Sequence, residues 1–152
     1  MLAKRMSESI QDKVAVSSDQ RAMRVPRKRI RELIAFVAHA EEAEIEEVDV
    51  AVVTGPKIAS LNRRWLGHRG ETDVITFDLA EPGEPAHAQI VVCADIAVRE
   101  GERQGHGAQR ELLLYVAHGL LHLLGHDDAR PADARRMHAR QEQLLAEFLE
   151  RH

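Results

Sequence analysis

The stretch AHGLLHLLGHDD, residues 117–128, gathers the side chains best suited to hold a metal ion. His118 and His122 are four apart, so on a helix both imidazoles leave the same face, one turn apart. Two such nitrogens can share one ion at about 2.0–2.1 Å each. Gly125 then stops the helix and lets the chain turn back toward that ion. Two side chains compete for the third ligand place: His126, one residue past the glycine, and Asp128, three past it. Asp128 is favoured, because one residue beyond a glycine cap is short reach for doubling back. Three protein ligands with a water in the fourth place is the usual form of a catalytic zinc site. A His₂Asp set leaves Zn²⁺ a net charge of about +1, acidifies water less than three neutral ligands would, and accepts harder ions such as Mn²⁺ or Mg²⁺ more readily. Asp127 reads equally well as a carboxylate orienting an imidazole N–H or as a solvated turn residue.

Written out, H-x-x-x-H-x-x-G-x-x-D has the spacing of the extended zinc-peptidase pattern with two differences. The last position is Asp, and Gly119 stands where peptidases place the Glu that serves as general base. A peptidase reading therefore needs some other carboxylate, such as Glu111 upstream on the same helix. A glycine at 119 is also expected to leave room for something bulky to approach the ion. The residues name no general base.

The elements that must position this cluster are legible from periodicity. An apolar helix is expected over about 108–124, ended by Gly125, and a last helix over about 131–150 carries Met137, Leu144, Leu145 and Phe148 inward. Pro26 opens another helix, with Ile30, Leu33, Ile34, Val37 and Ala38 on one face. Residues 46–54 read as a β-branched strand, TDVITFDL as a second, and AQIVVCA as a central one. Between the first two, PKIASLNRRWLG predicts a short helix with Ile58, Leu61 and Trp65 on one face and Gly67 as its stop. Asp95 is placed to cap a helix reaching about 104, which Gly105 and Gly107 break. Ile10, Val14 and Val16 suggest an edge strand within an otherwise polar, loose start. Strands mixed with helices, followed by helices only, predict an α+β fold: a small mixed sheet packed by helices, one domain over residues 1–152.

At 152 residues such a domain buries roughly 68–70% of its unfolded surface and needs no disulfide or metal merely to fold. No apolar run approaches the roughly 20 residues that span a bilayer, so membrane function is excluded. The first residues lack the apolar core of a secretory signal. Cys93 is the only cysteine, which excludes a disulfide scaffold and a Cys-rich zinc site and points to a reducing cytoplasm. The net charge of −4 rules out gripping nucleic acid by bulk electrostatics. The first 76 residues carry 13 Lys+Arg against 12 Asp+Glu, and the remainder 8 against 13, so any nucleic-acid surface is local and lies in the first half. The basic run Arg21, Arg24, Arg27, Lys28, Arg29, Arg31 is either a solvated face or a track for an RNA backbone. Five aromatics, Phe36, Trp65, Phe77, Tyr115 and Phe148, are too few for an extended base-stacking platform. Cys93 reads as a small core residue.

Two segments together resemble the YbeY family of rRNA-maturation endoribonucleases. The family's metal motif runs H-G-x-L-H-L-x-G-[YH]-D-H, and His118, Gly119, Leu121, His122, Leu123, Gly125, His126 and Asp127 fit it. Its upstream stretch runs roughly L-N-x-x-[YW]-R-x-x-x-x-x-T-[DN]-V-[LI]-[ST]-F, matched by Leu61, Asn62, Trp65, Thr72, Asp73, Val74, Ile75, Thr76 and Phe77. The resemblance covers about residues 45–145. It implies a zincin-like fold and one metal per chain, usually zinc, held by three histidines. Here that set becomes His118, His122 and Asp128, with Asp in place of the last His. It further implies single-strand-specific RNA cleavage in 16S rRNA 3′-end maturation and ribosome quality control, with rRNA, ribosomal particles and a GTPase assembly factor as partners. Two further departures stand out: Leu66 replaces an Arg associated with RNA cleavage, and Ala88-Gln89 replaces G-[DE]. Arg64 and Arg69, near His68, are the nearest cations able to take over a phosphate contact. Two other functions compete: a ribosome assembly factor with a mainly structural metal, favoured by Leu66, and a hydrolase of peptides or esters, disfavoured by Gly119.

Overall fold

The structure, a computed structural model, describes residues 2–152. Its elements run α1 (Leu2–Gln11), β1 (Val14–Ser18), α2 (Arg27–Ala40), β2 (Ile45–Val53), α3 (Gly55–Leu61), a π-helical turn (Asn62–Leu66), β3 (Val74–Asp78), β4 (Ala86–Cys93), α4 (Ala94–Gln104), α5 (Ala108–Leu123) and α6 (Pro131–Arg151). One sheet holds the strands in the order β1-β2-β4-β3. β1, β2 and β4 are parallel, and β3 runs antiparallel along the edge of β4. The expected mixed α+β fold is what the chain adopts.

β2 and β4 occupy the centre because their runs VAVV and IVVC are β-branched and apolar on both faces. The row Val16, Val50, Ile90, Thr76 is in register across the four strands, as is Ser18, Val52, Val92, Val74. These rows lie beneath α2 and α5, whose apolar stripes close one continuous core with Leu144, Leu145 and Phe148 of α6. The intervening rows, Ser17, Ala51, Val91, Ile75 and Ala15, Asp49, Gln89, Phe77, face the other way. On that second face lean α3, through the fully buried Ile58, and the π-helical turn, through Trp65 on Phe77; beside Ile58 a hollow of about 350 Å³ is left among Ser17, Ala51, Lys57, Leu61, Gln89 and Val91. No helix among the described residues is long and apolar enough to cross a membrane.

Three expectations about elements need correction. Ile10 belongs to α1 and not to a strand; Val14 and Val16 do form the edge strand, packed inward. The helix escaped notice because its apolar residues Leu2, Met6 and Ile10 are sparse, and packing against α2 stabilises it. Trp65 does not share the inward face of Ile58. Its ring is exposed because the turn Asn62–Leu66 is π-helical, and i→i+5 bonding puts more residues in each turn, so Trp65 lags behind the α-helical spacing. Gly67 ends this turn in the left-handed region, φ 69°, as expected of a stop. Asp95 does not cap α4 with its side chain; its Oδ2 accepts the Gly55 N–H at 2.6 Å and so ties the start of α4 to the start of α3. The basic run also has a structural task. Arg27 and Arg31 donate to the Val16 and Val14 carbonyls at 2.5 and 3.2 Å, sealing the free edge of β1.

Candidate functional site

The C-terminal half of α5 carries the histidine pair. The helix is apolar enough to be buried along most of its length, and its exit is set by a complete glycine cap. Gly125, at φ 104°, donates its N–H to the His122 carbonyl at 3.2 Å, and His126 donates to the Leu121 carbonyl at 3.1 Å. That double bond pattern is the Schellman arrangement, which only a residue tolerating positive φ can complete. The chain therefore turns back at the predicted position.

His118 is half-buried and its ring is held. Nδ1–H donates to Gln141 Oε1 of α6 at 2.7 Å. Gln141 is itself only 6% exposed, so the pair is fixed by the α5–α6 interface. Engaging Nδ1 in this way leaves Nε2 as the ring's lone-pair donor, the state in which an imidazole binds metal. His122, one turn on, is exposed on the same helix. No expectation singled out Gln141. Its signal was present all the same: a polar residue on the stripe Met137, Leu144, Leu145, Phe148, where an apolar one would otherwise sit.

The turn beyond Gly125 sorts the remaining candidates. His126 donates from Nε2 to Glu41 Oε1 at the end of α2, and Arg140 Nε of α6 donates to Glu41 Oε2 at 3.0 Å. Burial alone would raise the Glu41 carboxyl, but the hydrogen bonds and charges of His126 and Arg140 outweigh it and hold the group below its ordinary range. His126 is thus committed to a clamp and turned to α2. Asp127 accepts the Ala129 N–H at 2.9 Å, which makes it a turn residue; Gln141, not Asp127, orients an imidazole. Asp128 lies exposed on the turn. Among the described residues no three His, Cys, Asp or Glu side chains converge as the ligands of one ion. The pair His118 and His122 fits a metal by face and spacing, and His118 also by tautomer, while Asp128 is near in sequence and not gathered onto it.

Gly119 has a different role from the one expected. It is buried, and a Cβ there would lie 3.0 Å from Ile90 Cγ2 and Thr76 Oγ1 and 3.2 Å from Val74 Cγ2. The glycine lets α5 press onto β3 and β4 and opens no approach to an ion. Glu111 cannot replace the missing peptidase carboxylate either. It is 2% exposed and accepts from His106 Nε2 at 2.6 Å at the far end of α5. Burial first, and then Glu111, push the neighbouring Tyr115 phenol well above its usual range. Cys93 is fully buried and its thiol is raised by burial, as befits a core residue. Arg63, Arg64, His68 and Arg69 are all exposed in the segment that leads into β3.

A family profile described as Endoribonuclease YbeY matches residues 11–149. Curated relatives named Endoribonuclease YbeY include one from Nocardioides sp., 38% identical over 78% of this chain and 87% of its own length. Another, from Anaeromyxobacter sp., is 40% identical over 88% of this chain and 70% of its own. A solution structure from Thermotoga maritima, TM1509, superposes with a TM-score of 0.60 at 26% identity, covering 91% of this chain and 90% of that one.

Proposed function

The chain belongs to the endoribonuclease YbeY family, and we propose that it is a metal-dependent endoribonuclease acting on single-stranded RNA at the C-terminal end of α5. The observation that carries the reading is His118: its Nδ1 is held by buried Gln141, its Nε2 is free, and exposed His122 follows one turn later, just before the Gly125 stop. This donor chemistry suits one divalent ion per chain, Zn²⁺ first and Mn²⁺ next, held by His118 and His122 with Asp128 as third ligand. When bound, such an ion supplies Lewis-acid polarisation of a phosphate oxygen or a water. The chain's own residues do the rest. Gln141 fixes the imidazole, the Glu41–His126–Arg140 clamp sets the turn that carries Asp128, and the exposed cations Arg64 and Arg69 offer guanidinium groups to phosphates. The substrate in this reading is 16S rRNA, cut during 3′-end maturation and ribosome quality control in the cytoplasm, with ribosomal particles and a GTPase assembly factor as partners.

The test is metal content by plasma mass spectrometry on tag-free protein, with cleavage of a single-stranded rRNA fragment measured in parallel. Wild type should carry about one equivalent, and Asp128→Ala should lose it along with cleavage. Full metal in Asp128→Ala would move the third ligand elsewhere. A metal-free wild type that still cuts RNA would overturn metal dependence. A second reading, a ribosome assembly factor with a structural metal, draws on exposed Leu66 in place of the family arginine. It predicts that His118→Ala keeps ribosome association and assembly while the wild type shows no cleavage.

A further inference from the structure

Among the described residues, Trp65 is the one aromatic ring left largely in solvent, 60% exposed. A solvated indole is costly, since a ring of this type buries roughly 150–250 Å² when it can. The surrounding residues nevertheless hold it outward. The π-helical turn rotates it off the core. Buried Asn62 pins the loop behind it, donating Nδ2–H to the Gly70 carbonyl at 3.1 Å and accepting the His68 N–H at 3.3 Å. Glu71 closes the loop against Gly55, where a Cβ would strike its carboxylate. The ring then rests edge-on against Phe77 of β3, centroids 6.4 Å apart at 81°. The Arg64 guanidinium lies 5.3 Å from its centroid.

Between Asn62 and Val74 the chain carries three cations, Arg63, Arg64 and Arg69, against two carboxylates, Glu71 and Asp73. Arg63, Arg64 and Arg69 are exposed, and none takes part in the ion pairs formed among the described residues. Of the acidic groups on this side, Asp19 and Asp49 lie toward β1 and β2, Glu71 is drawn in against Gly55, and Asp73 Oδ1 accepts the Val74 N–H at 2.8 Å. The position relative to the histidines follows from the strand alternation. Val74 and Thr76 face Gly119 of α5, whereas Phe77 faces oppositely and carries Trp65. A single edge strand therefore separates Trp65 from the helix that bears His118 and His122.

We propose that Trp65 is a stacking shelf for one base of a single-stranded RNA, with Arg63, Arg64 and Arg69 holding the adjacent phosphates while the strand crosses the β3 edge toward α5. The choice of RNA as occupant rests on the endoribonuclease reading. The chemistry is that of other sequence-tolerant single-strand sites, an aromatic face for the base and cations for the backbone. A lone shelf needs no platform of many aromatics.

Because Trp65 is the sole tryptophan, its fluorescence reports the contact directly. The experiment titrates His118→Ala full-length protein, chosen to bind without cutting, with a short single-stranded RNA, an abasic RNA of equal length and a duplex. Saturable quenching is expected with the base-containing single strand and not with the abasic strand or the duplex. Anisotropy of a labelled RNA should show roughly tenfold or more weaker binding for Trp65→Ala, recovery in Trp65→Phe, and a shallower salt dependence for Arg64→Ala. Melting temperatures measured alongside are expected to match wild type, since these substitutions lie at exposed positions. Equal quenching by abasic RNA, or unchanged affinity in Trp65→Ala, would overturn the shelf. Cleavage by wild type with a silent Trp65 would sink this inference alone. Quenching without cleavage by wild type would sink the endoribonuclease reading and leave RNA binding standing.

Discussion

The two ends of α5 each join a histidine to a buried polar partner, and they leave those imidazoles in different states. Before the helix, His106 spends both nitrogens: Nε2 donates to Glu111, and Nδ1 accepts from Arg110 at 3.3 Å. An arginine can only donate, so the tautomer is settled and no lone pair is left over. Near the other end, His118 spends only Nδ1, on Gln141. His106 is scaffolding for a buried carboxylate. His118 is equally well held yet keeps one nitrogen for chemistry. The difference teaches that a histidine's worth to a site lies in the count of its unspent nitrogens as well as in its burial.

Mutation of the two histidines should break the comparison most sharply. His118→Ala is expected to lower RNA cleavage by at least about 100-fold, with a smaller fall in melting temperature than His106→Ala because it unpairs a neutral amide and not a carboxylate. His106→Ala should do the reverse. It takes the His106 partner from the buried Glu111 carboxylate, at a cost of about 3 kcal/mol, and lowers the melting temperature by roughly 6–12 °C while cleavage at permissive temperature persists. If His106→Ala silences cleavage in a folded protein, the two ends are not separate in function.

Gln141 tests whether the held nitrogen matters to the free one. Gln141→Leu keeps the volume near that of the original and removes the acceptor, so metal retention against a competing chelator should fall about 10–100-fold. Gln141→Glu restores an acceptor for Nδ1–H and should recover most of it. Equal retention in all three proteins would reduce Gln141 to packing. Between the two ends, Gly119→Ala forces a methyl against Thr76 and Ile90. A loss of about 1–3 kcal/mol in urea unfolding is expected, with cleavage per folded molecule preserved if the glycine serves packing alone.

The smallest effect concerns the clamp beyond Gly125. Glu41 has a folded pKa below its ordinary value of 4.5, so its contribution to stability is complete above that value and drains away as pH falls through the lower folded one. Glu41→Gln should therefore flatten the acid limb of the stability profile below about pH 4.5 and leave the slope above it unchanged. A mutant whose acid limb matches wild type would show that His126 and Arg140 do not stabilise the carboxylate.

Much of this protein is written in short-range spacing. The four-residue interval of His118 and His122, the apolar run around them and the Gly125 stop are properties of one helix and its cap. Hydrogen bonds there close within a few residues, so sequence alone determined α5 and the shared face of its histidines. The strands and their mixed order were legible for the same reason: β-branched runs bounded by turn residues. What the tertiary structure alone decided is the choice of partner across long stretches of chain. Gln141 stands 23 residues from His118, and Glu41 stands 85 from His126. Nothing local distinguishes them from other polar residues; only the packing of α6 and α2 against α5 selects them. Gly119 looked like open space because a glycine's use depends on what faces its missing Cβ, and that was the sheet. Trp65 looked like core because its position was counted in α-helical steps, and a single π-helical turn, held by a buried Asn62, sent it to solvent.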